Sequence, residues 1–288
     1  MSAEKVAVVG AGTMGQGIAY VAAVAGYQVT ITDAASESVT RALDGIRESL
    51  RAGVERRKVA AADYDAILAR IISEPGLAEA VRNAEIVIEA VPEDLALKRK
   101  LVADIEAAAP ETALLASNTS SLSISEIATA VRIPERVIGL HFFNPVHAMK
   151  LVEIVRGRST TDATVERAQA FAAALGKTSI VVQDTPGFAT SRLGVVLGLE
   201  AMRMVEQGVA SAEDIDTAMQ LGYNHPVGPL KLTDLVGLDV RLAIADHLHA
   251  TLGGDTYLAP ELLRRLVAEG KLGKKSGEGF YRWPASDR

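Results

Sequence analysis

Residues 5–33, KVAVVGAGTMGQGIAYVAAVAGYQVTITD, constrain the fold more than any other stretch. They read as a short apolar strand, a glycine turn, an amphipathic helix and a second strand ending in Asp33, which is a βαβ unit. Within the turn, Gly10 permits the sharp change of direction, Gly12 lets a pyrophosphate approach the backbone, and Gly15 lets the helix pack closely on the strand. Gly10, Ala11, Gly12, Thr13, Met14 and Gly15 are then the expected cofactor contacts, with phosphate at the helix N-terminus. A glycine-rich connection without a ligand and a methyltransferase loop are the competing readings. Asp33 separates them, because a carboxylate there can hold a ribose 2′-hydroxyl and repels a 2′-phosphate, favouring NAD over NADP. Arg41 lies too far along the following helix to reverse that preference.

Composition narrows the class. The chain has 288 residues, 49% hydrophobic and 23% charged, enough for one large or two ordinary globular domains. A formal charge of −6 leaves no broad basic field for nucleic acid, so any anion must be met by a local patch. With no cysteine there is no disulfide framework, zinc–thiolate site or thiol nucleophile. The N-terminus passes from MSAEK straight into a strand, with neither a signal peptide nor a membrane span. The expectation is a cytoplasmic enzyme or binding protein that engages neither nucleic acid nor membrane.

After Asp33, residues Val39, Leu43, Ile46, Leu50 and Val54 mark one apolar face of a helix. Its far end carries Arg56, Arg57 and Lys58, either a solvated helix end or a landing site for a phosphorylated substrate handle. Three further strand-like runs follow, AEIVIEAV, TALLAS and RVIGLHFF, with a helix between the first two that Asp94 can cap. This alternation predicts a doubly wound sheet whose ligands gather at the C-terminal strand ends, where Glu93, Lys98, Ser120, His141 and Asn144 lie. Ser123 with Glu126 has capping-box spacing, which leaves Ser120 for a reacting substrate.

The five histidines form no metal set, and no G-x-S-x-G nucleophile elbow is present. Hydride chemistry is the natural partner of a nicotinamide site. It needs a group to take the hydroxyl proton as hydride leaves the same carbon. His141, in an apolar strand, suits that role near neutral pH, and Glu153, in the next apolar run, would orient the imidazole and stabilise its charged form.

The segments GAGTMG, SNTSSLSI, GLHFFNPVHAMKLVEIV, DTPGF, DIDTAM, GLDV and GKKSGEGFY together resemble the 3-hydroxyacyl-CoA dehydrogenase family over nearly the whole chain. HFFNP followed by a glutamate twelve residues after its histidine is far more specific than the glycine loop. The resemblance implies NAD-dependent interconversion of an L-3-hydroxyacyl-CoA and the 3-ketoacyl-CoA, with short acyl chains such as 3-hydroxybutyryl-CoA favoured. By position, His141 matches the catalytic base, Glu153 its partner, and Ser120 the serine that contacts both substrate and nicotinamide. Asn144, Glu93 and Lys98 match cofactor contacts, and Ser49 and Arg56 match positions that hold coenzyme A, although the family often has lysine where Arg56 stands. Ser191 departs from the pattern, standing where many members carry an asparagine that binds and polarises substrate. A free 3-hydroxy acid or sugar-acid dehydrogenase, and a dinucleotide-binding protein without turnover, are the alternatives.

Beyond DTPGF the character changes. SRLGVVLGLEAMRMVEQG is apolar over most of a helix circumference, and SAEDIDTAM restarts a capped helix at Ser211. The expected organisation is a Rossmann-type doubly wound sheet over residues 1–184, followed by a mainly α-helical domain over 185–288. So small a helical domain has few ways to bury that first helix alone, which points to a homodimer through it; burial within its own bundle is the alternative.

Overall fold

Strand β1 (Lys5–Val9) leads through α1 (Thr13–Val24) to β2 (Gln28–Thr32) in this computed structural model, which describes residues 4–284. The long α2 (Ser36–Glu55), α3 (Tyr64–Leu68), β3 (Ile71–Ser73) and α4 (Leu77–Val81) bring the chain back to β4 (Ile86–Glu89). Then follow α5 (Leu95–Ala108), β5 (Leu114–Ser117), α6 (Ile124–Ala128) and β6 (Val137–Phe142). β7 (Leu151–Arg156), α7 (Asp162–Ala174) and β8 (Thr178–Gln183) complete the unit, which runs to Thr185. The eight strands form one sheet in the order β3-β2-β1-β4-β5-β6-β7-β8. β1 to β6 pair in parallel, and the strand order reverses between β1 and β4, the point where a doubly wound sheet opens its ligand crevice.

The central strands are covered on both faces, so they read as continuous apolar runs: Val6, Val8, Ile86, Ile88, Leu114, Ile138 and Leu140 are all buried. α2 buries Val39, Ile46 and Leu50 from its expected face and leaves Leu43 and Val54 half-buried. Asp94 caps α5, accepting from Leu97 N at 2.8 Å, as its position suggested. One strand breaks the alternation. β7 runs antiparallel to β6, because the loop of residues 143–150 is too short for a crossover, which needs about a dozen residues or more.

The second unit, from Pro186, is helical, as expected. It contains α8 (Thr190–Glu206), α9 (Ala212–Gly222), α10 (Pro229–Val236), α11 (Leu238–Leu252) and α12 (Glu261–Ala268). Val195, Leu199, Met202, Ile215, Leu230, Leu238 and Leu263 form its core. Ser211 caps α9, accepting from Asp214 N at 3.1 Å. The glycine-rich end GKKSGEGFYRW is tied down by two buried carboxylates. Asp234 accepts from Phe280 N and Tyr281 N at 2.9 Å and from Trp283 Nε1 at 2.8 Å. Asp216 accepts from Leu230 N, Lys231 N and the Tyr281 hydroxyl, each at 2.8 Å. Burial together with the Asp216 bond pushes the Tyr281 pKa up, which keeps the hydroxyl neutral and donating.

Candidate active site

Packing dictates the conformation of the first glycine turn. Gly10 has φ +103°, and a Cβ there would lie 2.8 Å from the Ala90 carbonyl carbon and oxygen. A Cβ on Gly15 would collide with the Gly10 carbonyl, so α1 can start this close to β1 only with glycine at that position. At Gly12 nothing lies within 4 Å of the Cβ position, leaving the backbone open to an incoming group. α1 begins with no capping side chain and no acid in its first turn. Its leading N–H groups, which no helix can satisfy internally, are therefore placed to receive an anion. Asp33 has a second role that the sequence did not reveal. Its Oδ2 accepts from Ala11 N at 2.7 Å and its Oδ1 from Ala35 N at 2.9 Å, so the carboxylate fixes the turn while each oxygen retains a lone pair for a ribose hydroxyl.

His141 and Glu153 meet as a directly opposed cross-strand pair of β6 and β7. Both are buried, and His141 Nδ1 lies 2.7 Å from Glu153 Oε2. The twelve-residue separation in the chain thus becomes zero offset in the ladder. The Phe143 ring stacks at a tilt on the imidazole, with centroids 4.4 Å apart. Asn118 Oδ1 accepts from Phe142 N at 2.9 Å, locking the loop after β5 to the end of the strand that carries His141. Sequence reading passed over Asn118, although it sits in the hydroxyl-rich segment SNTSS.

Ser120 lies in that loop, half-buried, and Glu93 gathers it in. Glu93 Oε1 accepts from Thr119 Oγ1 at 2.6 Å, Ser120 N at 2.9 Å and Ser121 N at 3.2 Å, and from the Ser120 and Ser121 hydroxyls at 3.3 and 3.1 Å. Burial alone would raise the Glu93 pKa. The bonds from Thr119, Ser120 and Ser121, with the Lys98 charge, outweigh it and hold the carboxyl below its usual range. Lys98 differs from the sequence expectation. Its side chain has no exposed surface, and its ammonium is 2.9 Å from both oxygens of the buried Glu89, so it is an internal tie rather than a surface open to a ligand. Asn144 is exposed just past the end of β6.

Ser49 and Arg56, carried by α2 and the turn after it, line a cavity of about 810 Å³. Lys58, Lys150 and Lys177 line it too, giving four cations against a single carboxylate, Glu48. This is a local basic patch on a chain of formal charge −6. Lys177 donates to the Val146 and Met149 carbonyls at 2.7 Å, and burial pushes its pKa down. Arg57 takes φ 56° at the turn and is absent from the cavity wall, so the geometry selects two of the three adjacent basic residues. Ser123 caps α6 and is itself held by Asp184, which accepts from its hydroxyl and from Ser125 N at 2.7 Å. Ser191 sits, half-buried, in the first turn of α8 in the second unit.

Residues 5–185 match the family described as 3-hydroxyacyl-CoA dehydrogenase, NAD binding domain, and residues 187–283 match its C-terminal domain. The chain belongs to the 3-hydroxyacyl-CoA dehydrogenase family. A Bacillus subtilis relative named probable 3-hydroxybutyryl-CoA dehydrogenase is 43% identical, and the match covers 98% of both chains. The 3-hydroxyadipyl-CoA dehydrogenase of Escherichia coli is 42% identical over 99% of this chain and 60% of that protein. The solved structure of (S)-3-hydroxybutyryl-CoA dehydrogenase from Ralstonia eutropha superposes with a TM-score of 0.94 at 40% identity, covering 98% of this chain and 100% of that one. The protein is thus an NAD-dependent oxidoreductase of the 3-hydroxyacyl-CoA dehydrogenase family, with the Rossmann-type and helical parts its sequence implied. The open backbone at Gly12, the uncapped start of α1 and Asp33 at the end of β2 fit an NAD dinucleotide.

Proposed function

We propose that this dehydrogenase interconverts L-3-hydroxyacyl-CoA and 3-ketoacyl-CoA with His141 as the proton carrier. The observation that carries this reading is the buried 2.7 Å contact between His141 Nδ1 and Glu153 Oε2. A carboxylate on Nδ1 fixes the tautomer and assigns proton exchange with substrate to Nε2. NAD, when bound, accepts the hydride from the hydroxyl-bearing carbon. In the oxidising direction neutral His141 takes the hydroxyl proton, and Glu153 balances the charge the ring acquires. Ser120, held by Glu93, orients the reacting oxygen against the cofactor, to which Asn144 and Glu93 are assigned. Ser191 positions substrate where many family members carry asparagine.

The basic cavity supports a coenzyme A handle. Ser49 and Arg56 share it with Lys58, Lys150 and Lys177, a donor set suited to phosphate oxygens. Short acyl chains are the favoured substrates, in keeping with the names of the Bacillus and Ralstonia relatives. A cytoplasmic location belongs to the same proposal, because NAD and acyl-CoA are intracellular reagents. So does a homodimer through the helical unit. Leu221, Tyr223 and Leu193 are 83%, 76% and 72% exposed there, an apolar cost that association would relieve.

The test is His141→Gln with 3-hydroxybutyryl-CoA and NAD. Turnover falls by about 100-fold or more if general acid–base catalysis is lost. In the unaltered enzyme, oxidation rises and ketone reduction falls with increasing pH, because the two directions need imidazole in opposite protonation states. A variant that keeps full turnover, or parallel pH trends with chemistry rate-limiting, removes His141 from this role.

A further inference from the structure

Glu89 closes a buried apolar strand, 2% exposed, and pairs there with a lysine that has no exposed surface at all. A buried ion pair is a weak source of stability, because well-packed apolar residues do as well or better, so its presence at a strand end calls for another explanation. The acceptor capacity of Glu89 is filled from within. Oε1 takes Lys98 Nζ and the Ser117 hydroxyl, and Oε2 takes Lys98 Nζ and Val91 N at 3.1 Å. Glu89 can therefore touch neither substrate nor cofactor, and anything it does passes through these partners.

The partners lead to the site. The Lys98 ammonium also donates to the Val91 carbonyl at 3.1 Å and lies 3.5 Å from Glu93 Oε2. The other oxygen of Glu93 holds Thr119, Ser120 and Ser121. Next to Glu89 in the chain, the Ala90 carbonyl is the group that a Cβ on Gly10 would strike, so the same strand end is the floor of the glycine turn. Contacts thus run from one carboxylate both to the glycine turn and, through Lys98 and Glu93, to the loop that carries Ser120.

We propose that Glu89 is a positioning residue for the cofactor site: through Lys98 it divides one buried ammonium between the β4 end and Glu93, and so sets the spacing of the glycine turn and Ser120. The proposal rests on the reading of Ser120 and Glu93 given above. Neutralising Glu89 leaves Glu93 as the one carboxylate facing the ammonium, which still donates to the Val91 carbonyl, and the strengthened pull on Glu93 Oε2 draws that carboxylate away from Ser120 and Ser121. The cavity beside α2 is not part of this chain of contacts.

The experiment compares Glu89→Gln, Lys98→Met and the double variant by NADH fluorescence titration, steady-state kinetics and Tm. Glu89→Gln should raise the NADH Kd and the KM for NAD by about tenfold, the scale on which residues that support a site from behind act. The KM for acyl-CoA should rise less than that for NAD, because the cavity assigned to the coenzyme A handle lies outside these contacts, whereas kcat should fall as Ser120 shifts. In the Lys98→Met background the same substitution should add less than about twofold, since coupled residues are strongly non-additive. Multiplying effects in the double variant, or a Glu89→Gln protein whose only change is a lower Tm, overturns the proposal. If Glu89→Gln does not fold, Ser117→Ala removes a single donor to the same carboxylate and should raise the NADH Kd about threefold, close to one hydrogen bond's worth; an unchanged Kd overturns the proposal equally. NADH binding is read without substrate, so an unaltered enzyme inactive on 3-hydroxyacyl-CoA would refute the proposed reaction and leave this test standing.

Discussion

Replacing Glu153 with glutamine removes one charge and almost no volume. Glu153 has no exposed surface, and its Oε2 lies 2.7 Å from His141 Nδ1, so the substitution changes the electrostatics of the pair with little effect on packing. A hydrogen bond to a charged group contributes about 1.5–3 kcal/mol. That contribution is greatest when the imidazole carries the substrate proton, so the loss falls on the transition state more than on binding. At about 1.36 kcal/mol per decade it corresponds to a fall in kcat of roughly 10- to 150-fold. The KM for NAD should hold, because the glycine turn and Asp33 belong to other strands. The assay is NADH absorbance with saturating 3-hydroxybutyryl-CoA and NAD, alongside Tm to establish that the variant is folded. A folded variant whose kcat stays within about twofold, with chemistry rate-limiting, would refute the reasoning, since a loss of that size is below one ordinary hydrogen bond.

Arg56→Ala should raise the KM for acyl-CoA more than that for a truncated pantetheine thioester lacking the nucleotide phosphates; equal effects would make the basic cluster a solvated helix end. Glu106 is buried on α5 and accepts from Arg132 N at 2.7 Å, Ile133 N at 3.0 Å and Arg136 Nη2 at 3.3 Å. Burial raises its pKa, but these bonds and the Arg136 charge outweigh it and leave the pKa lowered. Its stabilising contribution is therefore present above the unfolded carboxyl pKa and lost as pH falls through the folded one. Glu106→Gln should cost about 1–3 kcal/mol near neutral pH, with the Tm values of variant and unaltered protein converging in acid; a constant gap at all pH values would contradict this.

The βαβ opening was legible because three glycines, a helix period and a terminal acid all point to one local structure, and Asp33 duly closes β2 beside the turn. The pairing of His141 with Glu153 was legible only as chemistry. Separation along the chain does not specify a strand register, and it took the antiparallel return of β7 to set them opposite each other. Glu89 escaped notice for the opposite reason, since AEIVIEAV reads as a plain buried strand. The signal was nonetheless present, because a carboxylate in such a run must find a buried partner, and Lys98, in the first turn of α5, was the cation available. Lys98 itself sat where a surface contact was expected; burial cannot be read from position at a strand end. β3 was too short to show any alternation, with three residues paired only to β2. The two carboxylates that tie down the C-terminal glycine-rich run, Asp216 and Asp234, lie in helices, where acids usually mean exposed faces.

The most direct measurement is the initial rate of NADH formation by the unaltered protein with L-3-hydroxybutyryl-CoA, set against free 3-hydroxybutyrate and against no substrate. NADH should form rapidly with the thioester, far more slowly with the free acid, and not at all without substrate. Equal rates with thioester and free acid would contradict the coenzyme A reading of the basic cavity, and no NADH with either would contradict the proposed reaction itself.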